Sequence, residues 1–385
     1  MYGECKGSSN PRDFVAKAAT VYDVAKHAGV SIATVSMTFR RPDRVKQSTR
    51  DLVLAAARAL HYVPSASARG LADGRTGVLG LFSFDYLLSG EFDHPLPGAV
   101  EQPEAGLTGS VSFVREDPNE WCREFPLYVD EIQRGMELAC RQLGYALMIG
   151  GPSRTAGTTM VTDIAGRVDG LAVFPQTLPT DALERIAGRI PVVAISEPPE
   201  DDRLSHVTID NRGGMRAVTE HLIRDHGRRD LLFVGGLNPA EGRARFAGFR
   251  DALRAARLRV PRKPMVPATH GTPAGRAAVA LPEQLPLPEA FVCATDDVAL
   301  DVLDILAARG VRVPDQVAVT GFDGIVAGRV VRPALTTVRQ PMVEMGRLVV
   351  DVLRERIADP ARPPDFRQLP VQVVLRESCG CPPRT

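Results

Sequence analysis

The chain of 385 residues has no apolar run near the roughly 18 residues that a membrane-spanning helix requires. Its first stretch, MYGECKGSSNPRDFVAKAAT, mixes charges with Pro and Gly around no apolar centre, so no secretory signal is expected. The six cysteines, Cys5, Cys122, Cys140, Cys293, Cys379 and Cys381, include no Cys-x-x-Cys pair. Cys379-Gly380-Cys381 is a weak metal or redox signal and reads more simply as a terminal pair. The seven histidines offer no ligand-spaced group beyond HLIRDH, where His221 and His226 at i, i+5 do not share a helix face. Also missing are a Gly-x-Ser-x-Gly elbow, a His-Glu-x-x-His helix and a phosphate-binding P-loop. These absences argue against an enzyme, a metal centre or a resident cofactor. A reducing cytoplasm, with no membrane partner, fits them best.

Net charge is nearly absent as well, at +1. It is unevenly spread, however. Residues 1–75 carry 12 Lys/Arg against 6 Asp/Glu, which leaves −5 on the remaining 310. A basic head on a mildly acidic body suggests that the head meets a polyanion. The length exceeds what one hydrophobic core usually supports, so at least two domains are expected, and 44% apolar residues is ordinary for a soluble globular chain.

Within the basic head, TVYDVAKHAG reads as a short helix with Val21, Val24, Ala25 and Ala28 on one buried stripe. Gly29 supplies the left-handed residue that ends many helices. Ser31 is a natural N-cap for a second helix on which Val35 and Phe39 face the core. Ala33, Ser36, Met37 and Arg40 lie opposite, with Ile32 at the leading edge. A third helix is expected to start near Ser48 with an approximate capping box and to run through Leu52, Val53, Ala56, Ala59 and Leu60. Two short helices joined by a glycine turn, and then a third, make a helix-turn-helix. Small residues, the hydroxyls of Thr34 and Ser36, and basic flanks at Arg41, Arg44 and Lys46 suit an outward face that enters a DNA groove.

The segments VYDVAKHAGVSIATVS and TRDLVLAAARALHYVPSASARGLADGRTGVLGL resemble the LacI/GalR family of bacterial transcription regulators. The resemblance is dense over residues 20–80 and sparser from about 125 to 378. It implies that the helix beginning at Ser31 lies in the DNA major groove. Ile32, Ala33 and Met37 match base-reading positions, and Tyr22, Thr34, Ser36, Arg40 and Thr49 match phosphate contacts. Met37 stands where many members carry Arg, so the half-site should differ at that base pair. PSASARGLADGRTG matches a hinge helix that orders when two copies pair in the minor groove, with Leu71 as the wedge between base steps and Ala68 and Arg69 beside it. A homodimer on a roughly palindromic double-stranded operator follows.

From Gly77 onward, continuous apolar runs alternate with helical stretches, which is the pattern of a doubly wound α/β body with parallel sheets. The resemblance makes this a two-lobed, periplasmic-binding-protein-like body behind a small all-α helix-turn-helix head. The expected divisions are a disordered tail (1–19), the helix-turn-helix domain (20–63), a hinge helix and linker (64–76), and an effector-binding and dimerisation domain (77–385). Within the last, one lobe is expected over 77–195 and 338–365 and the other over 196–337 and 366–385.

Such sheets bind ligands beyond the carboxyl ends of their strands. Arg245, in GRARFAGFRDAL, matches the family's effector-contacting arginine, while Asp296 and Asp323 each follow a strand run. An Arg and two Asp there suit a polyol such as a sugar; the plainer alternative for Asp296 is a helix cap. Thr295 and Glu197 depart from the family pattern, where Asn and Arg are common. The segment 85–121 is longer than its position requires. It reads either as a disordered surface insertion or as a lid whose Trp121, with Phe125 just beyond it, stacks on a sugar face. Together these features imply a repressor controlled by a small ligand. A two-lobed sugar-binding protein without DNA binding is the runner-up, and a sugar-processing enzyme is weaker still.

Overall fold

The computed structural model describes residues 19–62, 75–83, 127–150, 165–174, 177–178, 180–199, 203–237, 240–265 and 287–382. The expected hinge contacts Ala68, Arg69 and Leu71 and the expected lid residues Trp121 and Phe125 lie outside these. The chain separates into two compact units, Met1–Thr76 and Gly77–Thr385.

Among its described residues the first unit holds three helices: α1 (Val21–Ala28), α2 (Ile32–Arg40) and α3 (Gln47–Ala59), with a short 3-10 turn at Pro42–Arg44. Asp23 accepts from both the backbone N–H and the hydroxyl of Thr20, at 2.8 and 2.7 Å, which fixes the entry to α1. Gly29 closes α1 at φ +64°, a conformation that glycine adopts without the cost a Cβ brings. Ser31 then caps α2, its Oγ accepting the Thr34 N–H at 3.1 Å. Val24, Val35 and Val53 contribute one fully buried side chain from each helix, and Phe39 packs partly against that core. Helix α3 corrects one expectation. It begins at Gln47, so Ser48 lies inside its first turn, and Lys46 at the cap position makes no side-chain cap.

The second unit contains, in order, β1 (Val78–Phe82), α4 (Leu127–Leu143), β2 (Ala146–Gly150), β3 (Gly170–Val173), α5 (Thr180–Ala187), β4 (Val192–Ile195), β5 (Ser205–Ile209), α6 (Asn211–Arg224), β6 (Leu231–Val234), α7 (Ala240–Ala255), β7 (Ala290–Cys293), α8 (Asp296–Ala308), β8 (Ala318–Asp323), α9 (Ala327–Val330), β9 (Thr336–Arg339), α10 (Met342–Ala358), β10 (Phe366–Leu369) and β11 (Gln372–Val374). A last 3-10 turn spans Glu377–Cys379. The strands form two sheets. One is parallel throughout, in the order β10-β5-β4-β3-β1-β2; the other runs β11-β9-β8-β7-β6, with only β11 antiparallel. Residues on β3, β4, β7 and β8 are buried along their whole length, as expected for strands covered on both faces.

Glycines set how closely the covering helices pack. A Cβ on Gly346 of α10 would overlap the Ile132 carbonyl of α4, so that pair meets backbone to backbone. The same applies to Gly248 of α7 against Arg212 of α6. The lobe boundaries expected from the sequence need correction. Ser205–Ile209 and Phe366–Leu369 pair with each other in the first sheet, whereas Thr336–Arg339 belongs to the second. The chain therefore crosses between lobes near residues 210, 340 and 370. Among the described residues, no helix is long and apolar enough to cross a membrane.

Candidate DNA-reading face and effector site

In the first unit, α2 turns Val35 and Thr38 inward; the Thr38 hydroxyl donates to the Thr34 carbonyl at 2.8 Å, so its polarity is absorbed within the helix. The same rotation leaves Ile32 42% and Met37 41% exposed, with Ala33 exposed beside them. Their exposure leaves two large apolar side chains free to meet a partner surface. Tyr22 on α1 is 67% exposed, and Arg41, Arg44 and Lys46 are exposed beyond the end of α2. Ser36 and Thr49 are half-buried. The Ser31 and Thr34 hydroxyls lie 2.9 Å apart, and the Ser31 oxygen also serves as the cap, so both hydroxyls already have a local role.

In the second unit, the three predicted residues converge, but not in equivalent roles. Arg245 extends from α7 and is 3% exposed. Its Nε donates to Asn211 Oδ1 at 2.8 Å, and its terminal nitrogen donates to the Ala294 carbonyl at 2.8 Å and lies 3.2 Å from Asp323 Oδ1. Its guanidinium also sits 3.9 Å above the Phe322 ring. Asp323 closes β8 and takes a hydrogen bond from Gln340 Nε2 at 2.6 Å. Asp296, by contrast, is committed to the backbone. One carboxylate oxygen accepts from Gly324 N and Ile325 N at 2.8 and 2.9 Å, and the other from the Thr337 hydroxyl at 2.5 Å. It holds the turn that carries Asp323. The cap of α8 is Thr295, whose hydroxyl accepts from Val298 N at 3.3 Å, so the capping alternative belongs one residue earlier than Asp296.

Ser196, Asn211, Glu241 and Gln340 complete the constellation. Glu241 lies 4.0 Å from Arg245. Burial pushes its carboxyl up, against the pull of Arg245 and the neighbouring Ser196 hydroxyl. Burial likewise raises Asp323 well above the usual carboxylate range despite Arg245. Among the described residues, Ser196 Oγ, Glu241 Oε1 and Gln340 Oε1 are buried with no hydrogen bond of acceptable geometry. Such atoms are few in a native interior and normally find water or a ligand. Strain marks the same place. Of the four non-glycine residues at positive φ among the described residues, two are Ser196 (+64°) and Asp323 (+122°), at the carboxyl ends of β4 and β8. The sequence carried faint signals for these partners. Glu241 precedes Arg245 by one helical turn, and Asn211 opens the helix after a strand too polar to be recognised.

Two family models match the chain: bacterial regulatory proteins of the lacI family over residues 20–65, and a periplasmic binding protein-like domain over residues 219–379. The HTH-type transcriptional repressor PurR of Escherichia fergusonii is 30% identical over 371 residues, covering 94% of this chain and 96% of that protein. The chain belongs to the LacI family of bacterial regulators. Among solved structures, a complex of the transcriptional regulator CelR with cellobiose is 27% identical, with a TM-score of 0.60 over 94% of this chain and 99% of that one. The lac repressor dimer bound to operator and an anti-inducer is 22% identical, with a TM-score of 0.71 over the same shares, and shows the shared fold. As a LacI-family member, this protein is an allosterically regulated, DNA-binding transcriptional repressor and not an enzyme. Its partners are DNA and a small-molecule effector.

Proposed function

We propose that this repressor acts in the cytoplasm as a homodimer on a pseudo-palindromic operator and that its effector is a neutral, polyhydroxylated molecule of the sugar class. The effector would lie against Arg245, Asp323, Glu241 and Gln340. The observation that carries this reading is the set of three buried polar atoms without a well-formed hydrogen bond, Ser196 Oγ, Glu241 Oε1 and Gln340 Oε1, beside an arginine that pairs with Asp323 at 3.2 Å and with Glu241 at 4.0 Å. A hydroxyl both donates and accepts, so a polyol can satisfy a carboxyl, an amide oxygen and a serine at once. Asp296 positions the Asp323 turn and does not touch the ligand.

On DNA, Ile32, Ala33 and Met37 read base edges while Tyr22, Thr34, Ser36, Arg40 and Thr49 meet phosphates, with Ser31 fixing the start of the reading helix. Leu71, flanked by Ala68 and Arg69, wedges into the minor groove between paired hinges. A thermal-shift screen of sugars and nucleobases, repeated with operator bound, tests the effector class. The expected result is a sugar that raises the melting temperature and whose affinity changes with operator by the factor by which it changes operator affinity. A nucleobase that binds while every sugar fails would overturn the assignment.

A further inference from the structure

We propose that His221, His226, Cys379 and Cys381 form a binding site for one zinc ion, with two thiolates and two imidazoles as ligands. In the sequence the two pairs lie about 155 residues apart, and each looks unpromising alone. The structure joins them. Helix α6 ends at Arg224, so His226 lies beyond the helix and its ring folds back to meet His221 edge to face. The helical spacing that seemed to separate the two therefore does not apply. The 3-10 turn at Glu377–Cys379 brings in Cys379, and Gly380, at φ +106°, lets the chain turn tightly enough for Cys381 to face the same point.

Four of the six ligand–ligand distances are close to those of a tetrahedral cage. With bonds of about 2.3 Å to sulfur and about 2.05 Å to nitrogen, the edges of such a site are about 3.3 Å between nitrogens and about 3.6 Å from nitrogen to sulfur. The two Nε2 atoms lie 3.1 Å apart. Cys379 Sγ is 3.6 Å from His221 Nε2, and Cys381 Sγ is 3.5 Å from both Nε2 atoms. All four ligand atoms fall within 4.8 Å of one another.

The surroundings support the same chemistry. Asp225 Oδ2 lies 2.6 Å from His221 Nδ1, so that nitrogen carries the proton and the Nε2 lone pair points inward. A carboxylate behind a histidine in this way is the common second layer of zinc sites. Ser378 anchors the turn, accepting from Thr336 N at 2.8 Å and donating to the Val319 carbonyl at 2.6 Å. The Thr336 hydroxyl reaches Cys379 Sγ at 3.1 Å, which supports the sulfur without filling the centre. Binding replaces the two thiol protons, which pass to solvent, and involves no redox step. All four positions are ligands from the protein, so the site is a closed, structural one. The ion would staple the C-terminal segment to the end of α6 behind the second sheet.

The test uses the full chain, purified without a polyhistidine tag or chelator, with metal content measured by mass spectrometry. The expected result is one zinc per chain. The apoprotein, given zinc chloride alone, should recover that stoichiometry with a higher melting temperature. Cobalt(II) in its place should show thiolate charge-transfer and tetrahedral d–d bands. Cys381→Ser and His226→Gln should each weaken zinc binding by at least about 100-fold, Asp225→Asn by about 10- to 100-fold, and His27→Gln, on the exposed face of α1, not at all. Should the ligand variants fail to fold, the wild-type stoichiometry, the cobalt spectrum and Asp225→Asn still decide. A wild-type chain without stoichiometric zinc, a cobalt spectrum lacking thiolate bands, or a Cys379–Cys381 disulfide in the purified protein would overturn the site.

Discussion

The Arg245 guanidinium lies 3.2 Å from the Asp323 carboxylate, and both side chains are almost wholly buried at the carboxyl end of the second sheet. A buried pair of this kind is costly to assemble and more costly to break, because removing one partner strands the other. Arg245 is at the same time held by Asn211 and the Ala294 carbonyl, which leaves it little freedom. An effector that bonds Asp323 or Glu241 would therefore compete with Arg245 and shift the balance between two arrangements of the lobe. Local competition of this sort is a physical basis for coupling ligand to shape.

Arg245→Ala should destabilise the body by about 3–5 kcal/mol in urea unfolding, because buried Asp323 loses the guanidinium 3.2 Å away. Adding Asp323→Asn should recover part of that loss, with a coupling of about 0.5–3 kcal/mol. Additive single effects would show that the pair does not act as a unit.

Stability should fall as pH rises from about 4 to about 7 and level off above it. Burial, the largest influence, lifts Asp296 from the ordinary 3.8 to about 7, with Asp297 adding to it and hydrogen bonds from Thr337, Ile325 and Gly324 opposing. The folded value lies above the unfolded one, so the native state keeps a proton that the unfolded chain has released between those limits. This group's contribution is thus fully present below the unfolded value and is lost as pH rises past 7. The change is on the order of 4 kcal/mol at most, at about 1.4 kcal/mol per unit. The urea midpoint should be lower at pH 8 than at pH 5, and Asp296→Asn, which keeps the shape and one acceptor oxygen for the Gly324 and Ile325 N–H groups, should flatten that slope.

Met37→Arg should redirect the operator. Methionine offers a base pair only apolar contact, whereas an arginine in that exposed position can bond guanine O6 and N7 together. The expected gain is about 1–3 kcal/mol toward guanine at the base pair beneath it, read by binding to half-sites varied at that position. A wild-type protein that already prefers guanine there would count against the reading.

Gly29→Ala should cost about 1–2 kcal/mol in the head. A Cβ at that site would meet nothing within 4 Å, so the whole effect is conformational, from holding φ +64°. Amide exchange in α1 and α2 of the full chain should quicken by about 10-fold, and operator affinity should fall with it. A Cβ that was accommodated without any change in exchange would show that the turn is not fixed as described.

The recognition head was legible in the sequence because its determinants are local. The stripe through Val24 and Ala25, the left-handed Gly29 and the Ser31 cap are each set by residues within one or two turns. Alternation of apolar runs with helices likewise announced the α/β body, since a strand buried on both faces must be apolar throughout. Four strands escaped notice for the same reason. SHVTI, TTVR, FRQL and QVV carry hydroxyls, charges or amides, and Ser205, Thr336 and Thr337 are buried with hydroxyls that neighbours accept from or donate to. Missing those strands misplaced the lobe boundaries.

What the sequence determined by itself, then, is everything governed by short-range periodicity and capping, together with the motifs that marked Arg245, Asp296 and Asp323. Tertiary structure alone decided that Asp296 supports a turn while Asp323 faces Arg245, and that two histidines at a helix end meet two cysteines about 155 residues further along the chain. The reason is geometric. A hydrogen bond or a coordination shell is defined over about 3 Å in space, and separation along the chain carries no record of which distant residues folding will place there.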